Sequence, residues 1–168
     1  MTTHLSWRRA LANAVASGSL ASVASTVALA QRGHADCRDT FAPVNAISHW
    51  IWDEPAIYQN KASLRHSLVG YLIHHAMSVC WAALYEKRFG HYAEQGRPGA
   101  ALASGLGVAA LAALVDLRGT PRRLTPGFER RLSGRSLAWV YTAFGLALAA
   151  RCLDRPRRER PALPLPRR

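Results

Sequence analysis

The sequence predicts an all-α membrane protein, a bundle of four transmembrane helices with a surface-lying segment between helices one and two. Three observations carry the prediction. Four windows contain no Asp, Glu, Lys or Arg: Ala10–Gln31, His66–Tyr85, Pro98–Val115 and Ser136–Ala150. Most of the Arg lies between these windows or after the last. Gly99–Val115 offers water only Ser104 among small and aliphatic side chains, whereas a helix on a soluble surface needs a polar face. A crossing takes about 20 apolar residues, within a range of about 17 to 25, so the first three windows are long enough. The fourth covers only about 22 Å against a hydrocarbon core of about 30 Å, so Arg135 and Arg151 are expected to snorkel at its ends.

At 168 residues the chain suits one domain. It divides into a four-helix transmembrane domain over 1–153, with helices at about 10–31, 64–86, 98–117 and 134–152, and a disordered Arg- and Pro-rich tail over 154–168. A net charge of +12 and a pI near 11.0 would suit a nucleic-acid binder, but the separation of the charges from the apolar windows argues against one. The mean hydropathy of -0.05 averages Arg-rich connections against apolar helices. Cys37, Cys80 and Cys152 form no Cys-x-x-Cys pair and imply neither a disulfide framework nor zinc; Cys80 reads as a small packing residue.

Small and hydroxyl residues dominate the first window. Arg8-Arg9 with Ala28-Leu29-Ala30 is one pattern of a cleaved secretory signal, but signal cores run only about 7 to 15 residues. Ala14, Gly18, Ser22 and Thr26 recur every four residues instead, the small-residue spacing of packed membrane helices, and a retained helix is expected. Beyond it, Gly33–Thr40 reads as irregular. Pro43–Trp52 mixes Val44, Ile47, Trp50 and Trp52 with Asn45 and His49, a composition for the membrane-water interface, and Asp53-Glu54-Pro55 turns the chain back to water. Glu86-Lys87-Arg88 is a charged stop to the second helix. Gly99, Ala103 and Gly107, and separately Ala101, Gly105 and Ala109, give the third helix two faces of little bulk. Thr125 as cap and Pro126 at the first helical position predict a short helix over Phe128–Leu132.

With both termini inside, twelve Lys and Arg lie on the cytoplasmic side against ten opposite, a small bias in the direction favoured by bacterial inner-membrane proteins. The expected partners are the lipid bilayer, anionic lipid headgroups for the Arg-rich tail, and a second copy or another membrane protein; nucleic acid is not among them.

The second helix carries the pattern of most interest. Ser67, Tyr71, His74, Ser78, Trp81 and Tyr85 step by four and three residues, one polar and aromatic stripe with His75 beside it. Polar side chains at mid-membrane depth face a bundle interior, a cavity or a partner. Tyr71, His74, His75, Ser78 and Trp81 are therefore the candidate functional seam, and Asn45, His49, Trp50 and Trp52 the candidate interfacial segment. The stripe admits two roles: hydrogen bonds to the hydroxyls of helix one, or a metal, haem or proton site. No ligand set is complete. Tyr71 stands where a desaturase-type box needs its first His, helices one, three and four supply no axial His for a haem, and nothing fixes His49, Asp53, Glu54 and His66 as a zinc site. Phosphate loops, nucleophile elbows and His-Glu-x-x-His are absent, and four short spans show neither the inverted repeats nor the broken helices of a transporter. The expected role is a non-enzymatic helical scaffold or accessory subunit with no cofactor; a His-dependent metal, haem or proton site is the first alternative and a channel or transporter subunit the second.

Three stretches carry a resemblance: Pro43-Val44-Asn45-Ala46-Ile47-Ser48-His49-Trp50, Gly70-Tyr71-Leu72-Ile73-His74-His75 running through Trp81 to Glu86, and Arg123-Leu124-Thr125-Pro126-Gly127-Phe128-Glu129 with Arg131-Leu132-Ser133. Together they resemble a family of uncharacterised small proteobacterial inner-membrane proteins, over about Gly18 to Ala149. The resemblance implies four helices with the first retained, and adds no catalytic residue.

Overall fold

In the computed structural model, which describes residues 4–153, four long helices run up, down, up and down. They are α1 (Trp7–Cys37), α4 (Val69–Phe89), α6 (Pro98–Leu114) and α7 (Gly134–Ala149). Short helices fill the connections: α2 (Ala42–Ile47), α3 (His49–Trp52) and α5 (His91–Glu94). Each long helix starts where the local chemistry directs. Ser6 accepts from the Arg9 N–H to cap α1, Pro98 opens α6, and Ser133 accepts from the Ser136 N–H at the head of α7. A π turn, Leu64–Leu68, leads into α4 and another, Val115–Gly119, extends α6, while a 3-10 turn, Ala150–Cys152, prolongs α7.

The described residues contain no strand, and three helical stretches are long and apolar enough to cross a membrane: Trp7–Cys37, Leu64–Phe89 and Pro98–Gly119. Their outer faces carry Leu11, Val23, Leu72, Leu84, Leu111 and Leu114, all exposed. Water-facing helices do not present such continuous apolar surfaces. The α7 helix has 16 residues.

Packing follows side-chain size. α1 lies against both α4 and α7, and α6 lies mainly against α7. The α1 face that meets them is Ala10, Ala14, Ser17, Gly18, Ala21 and Ser25, all buried; a Cβ on Gly18 would stand 2.7 Å from the Val79 Cα. Between α6 and α7, a Cβ on Gly145 would fall 2.9 Å from both the Ala109 Cβ and the Gly105 carbonyl oxygen. Small residues allow these backbones to approach, so the helices gain dispersion contacts along the crossing. Of the two small faces of α6, Ala101, Gly105 and Ala109 are buried, while Gly99 and Gly107 meet open space.

Several local expectations are corrected. Instead of becoming irregular at Gly33, α1 continues to Cys37, because Gly33 packs on Pro43, Arg32 pairs with Asp36 at 3.6 Å, and Arg38 ends the helix in a left-handed conformation at φ 58°. The Pro43–Trp52 segment is helical and enclosed by protein: all six residues of α2 are buried, with only its continuation at Ile51 strongly exposed. Phe128–Leu132 gives only a 3-10 turn, Phe128–Arg130; Gly127, at φ 88°, precedes it and Thr125 does not cap it. Cys80 is exposed and packs no core. The predicted tail over 154–168, with its lipid-binding arginines, lies outside the described residues.

Candidate functional site

The α4 stripe turns inward and joins the bundle to itself. Ser67 donates to the Asn45 carboxamide oxygen at 2.7 Å, His74 meets Ser25 of α1 at 2.8 Å, and Tyr85 donates to the Ala101 carbonyl of α6 at 3.2 Å. The Ser25 hydroxyl has a single proton, and it lies 2.7 Å from the Ala21 carbonyl one turn back. With that proton committed, Ser25 accepts from the His74 Nε2–H, which leaves Nδ1 of the imidazole as an acceptor. His75 sits beside Tyr71, with ring centres 5.9 Å apart, and its Nδ1 is buried without a partner.

His74, Ser78 and Trp81 line a cavity of about 250 Å³, which Asp116 from the end of α6 and Tyr141 from α7 complete. Tyr141 donates to Asp116 at 2.8 Å. The α1–α4 and α6–α7 pairs pack closely, whereas α4 and α6 meet near Tyr85 and diverge toward His74, and the divergence makes the space. Trp50 and Phe128 close it at the loop end.

That closure is a cap built by α2, α3 and the loop before α7. Asn45 is its hub: the carboxamide nitrogen donates to the Gln59 and Lys61 carbonyls at 3.1 and 2.8 Å, and the oxygen accepts from Ser67. Asp39 accepts from the backbone N–H groups of Phe41, Ala42 and Lys61 at 2.8 to 3.0 Å. Partial burial pushes its carboxyl up, but these bonds, with Arg131 nearby, outweigh burial and hold it below its ordinary value. His49 meets the Ala46 carbonyl at 2.9 Å, and the Trp50 indole donates to the Thr125 carbonyl at 2.8 Å. The Trp52 indole donates to the Arg65 carbonyl at 3.0 Å, beneath the Arg65 guanidinium. Arginines clasp the rim: Arg123 on Asp53, Arg130 on Glu54 at 2.7 Å, and Arg131 on Asn60 at 2.7 Å.

Of the residues singled out in the sequence, His74, Ser78, Trp81 and Trp50 thus meet around one cavity. Tyr71 and His75 lie outside its wall, and Asn45, His49 and Trp52 hold the cap. The four residues weighed for zinc are dispersed in separate contacts, His49 to Ala46, Asp53 to Arg123, Glu54 to Arg130 and His66 to Ser48. Among the described residues no three His, Cys, Asp or Glu side chains gather where they could hold a metal ion.

Asp116 and Tyr141 were missed. Asp116 follows the third charge-free window directly and lies in the π turn that extends α6, where it meets Tyr141 of α7. Glu86 was misread as well. Rather than stopping α4 in water, it is 1% exposed and pairs with Arg151 at 2.5 Å. Asn13, with its carboxamide oxygen toward Arg151, accepts from the guanidinium at 3.1 and 3.2 Å. Arg151 therefore turns inward to this group instead of snorkelling. The signal was available in the spacing: Glu86 continues the buried sequence Ser78, Ala82 by one further turn.

Compared with protein-family models, curated proteins and solved structures, the chain matches none.

Proposed function

We propose that the protein is a multi-pass bacterial inner-membrane protein that crosses four times, keeps both termini in the cytoplasm, and acts without chemistry of its own as a helical scaffold or accessory subunit. The observation that carries this reading is the use made of the polar seam: Ser67, His74 and Tyr85 each bind another segment of the same chain. Such bonds fix helix register in lipid and are worth about 0.6 to 2 kcal/mol each. The fourth crossing rests on α7, which with its 3-10 turn runs beside α1 and would reach about 28 Å over Gly134–Cys152. The open Gly99, Ala103 and Gly107 face of α6 would meet lipid, a second copy or another membrane protein.

The test is sedimentation with and without detergent, followed by labelling of single cysteines placed at each end of α7. Labelling of both ends from the same side of the membrane would refute the fourth crossing, and recovery of the protein in the detergent-free supernatant would refute membrane insertion. His74→Ala with His75→Ala should lower the yield of assembled protein, and the purified wild type should show no Soret band and no stoichiometric metal. A second reading, a His-dependent proton-handling protein, is favoured by one observation, that His74, Asp116 and Tyr141 share a cavity. A pH-driven proton flux in proteoliposomes that disappears in His74→Ala would support it over the scaffold.

A further inference from the structure

The cavity is short of positive charge. Among the described residues Asp116 is the one acidic side chain on its wall, no Lys or Arg lines it, and the only hydrogen-bond partner of the carboxylate is the neutral Tyr141 hydroxyl at 2.8 Å. Of the arginines in the adjoining loop, Arg123, Arg130 and Arg131 are engaged elsewhere, with Asp53, Glu54 and Asn60. A carboxylate withdrawn from water takes up a countercharge or a proton, because its desolvation is otherwise uncompensated.

The remaining wall suits a particular countercharge. Trp50, Trp81, Phe128 and Phe144 surround the space, and an aromatic face attracts a cation through its quadrupole most strongly where water is scarce. A volume of about 250 Å³ exceeds the roughly 150 Å³ that admits benzene, so a ring bearing a small charged group fits. Met77 of α4 and Val115 beyond α6 line the cavity and are each 38% exposed, so the gap between these helices opens sideways, on the apolar exterior.

We propose that this cavity binds a small lipophilic cation, a quaternary or protonated amine carrying one ring, with its charge against Asp116 and its apolar body among Trp81, Phe128 and Phe144. The binding role goes beyond scaffolding and does not depend on it. Anionic ligands are disfavoured, since among the described residues the wall offers them a carboxylate and no Lys or Arg.

The full chain in nanodiscs of zwitterionic lipid, titrated with phenyltrimethylammonium, should give a saturable change in tryptophan fluorescence. The uncharged isostere tert-butylbenzene should bind at least about tenfold more weakly, because it lacks the ion pair and the cation–π attraction. Asp116→Asn should weaken binding of the cation by at least about tenfold, whereas binding of the uncharged isostere by the same variant should stay within about threefold of wild type. Equal binding of cation and isostere would overturn the proposal, as would no saturable response, unchanged affinity in a folded Asp116→Asn, or equal losses of cation and isostere in that variant. The isostere comparison uses wild-type protein alone, so it decides the matter even if Asp116→Asn fails to fold.

Discussion

The two ends of the bundle use the same residue types, arginine and carboxylate, under opposite conditions. At the end where α1 begins and α4 finishes, Glu86 is 1% exposed and the Arg151 side chain 17% exposed, with Asn13 completing the group. At the capped end the Arg123–Asp53 side chains are 55% and 65% exposed, and Arg130 and Glu54 are 26% and 68% exposed. Buried charges depend on one another, since removal of one leaves the other unpaired in a poor solvent; exposed pairs exchange a partner for water at little cost. The first end should therefore be brittle toward loss of a charge. The capped end relies on backbone geometry and hydrogen bonds to the main chain.

The comparison can be broken in order of expected effect. Glu86→Ala should destabilise the protein by about 3 to 5 kcal/mol, because Arg151 and Asn13 are left facing a void, and unfolding in a graded detergent series would measure it. If Glu86→Ala costs no more than Arg130→Ala, the contrast between the ends is wrong. Gly145→Val should cost about 1 to 3 kcal/mol or more by forcing α7 away from α6, read by the same unfolding. Gly127→Ala tests the backbone argument at the cap: its φ of 88° strains an L residue, and the new Cβ would stand 2.5 Å from the Ala46 carbonyl oxygen. A loss of about 1 to 3 kcal/mol is expected. Smallest of all, Arg130→Ala should cost about 0 to 1 kcal/mol and less as salt is raised.

Acid separates the ends in another way. Asp39 is held below its ordinary value of 3.8 in the folded cap, so its contribution is complete above that value and is lost as pH falls through the folded one. Loosening of the cap in acid should be detectable by hydrogen exchange at the Phe41, Ala42 and Lys61 amides, and Asp39→Asn should remove that part of the pH dependence. At the opposite end, burial first, then His4 and Arg97, lower His91, so that imidazole stays neutral in the folded protein to a lower pH than usual. Protonation there on acidification opposes folding.

Much of this protein was legible without coordinates. Windows free of charge run through the three helices that are long and apolar enough to cross a membrane, because an apolar helix face cannot carry ions. Four-and-three spacing aligned Ser67, His74, Ser78 and Tyr85 on one face because helical phase is a local property. The hydroxyls of helix one were anticipated as partners, and Ser25 is the one His74 meets.

The sequence by itself determined where the long apolar helices run and which residues share a face of each, though not every helix end or connecting turn. Only the tertiary structure decided what each face meets: that α2 is enclosed, that one small face of α6 is packed and the other open, that Glu86 is buried beside Arg151, and that Asp116 joins Tyr141 at a cavity. The physical reason is range. Periodicity and capping act over a few residues along the chain, whereas burial of a charge or the opening of a gap depends on helices that are distant in sequence and are brought together by the close approach of Gly18 to Val79 and of Gly145 to Ala109.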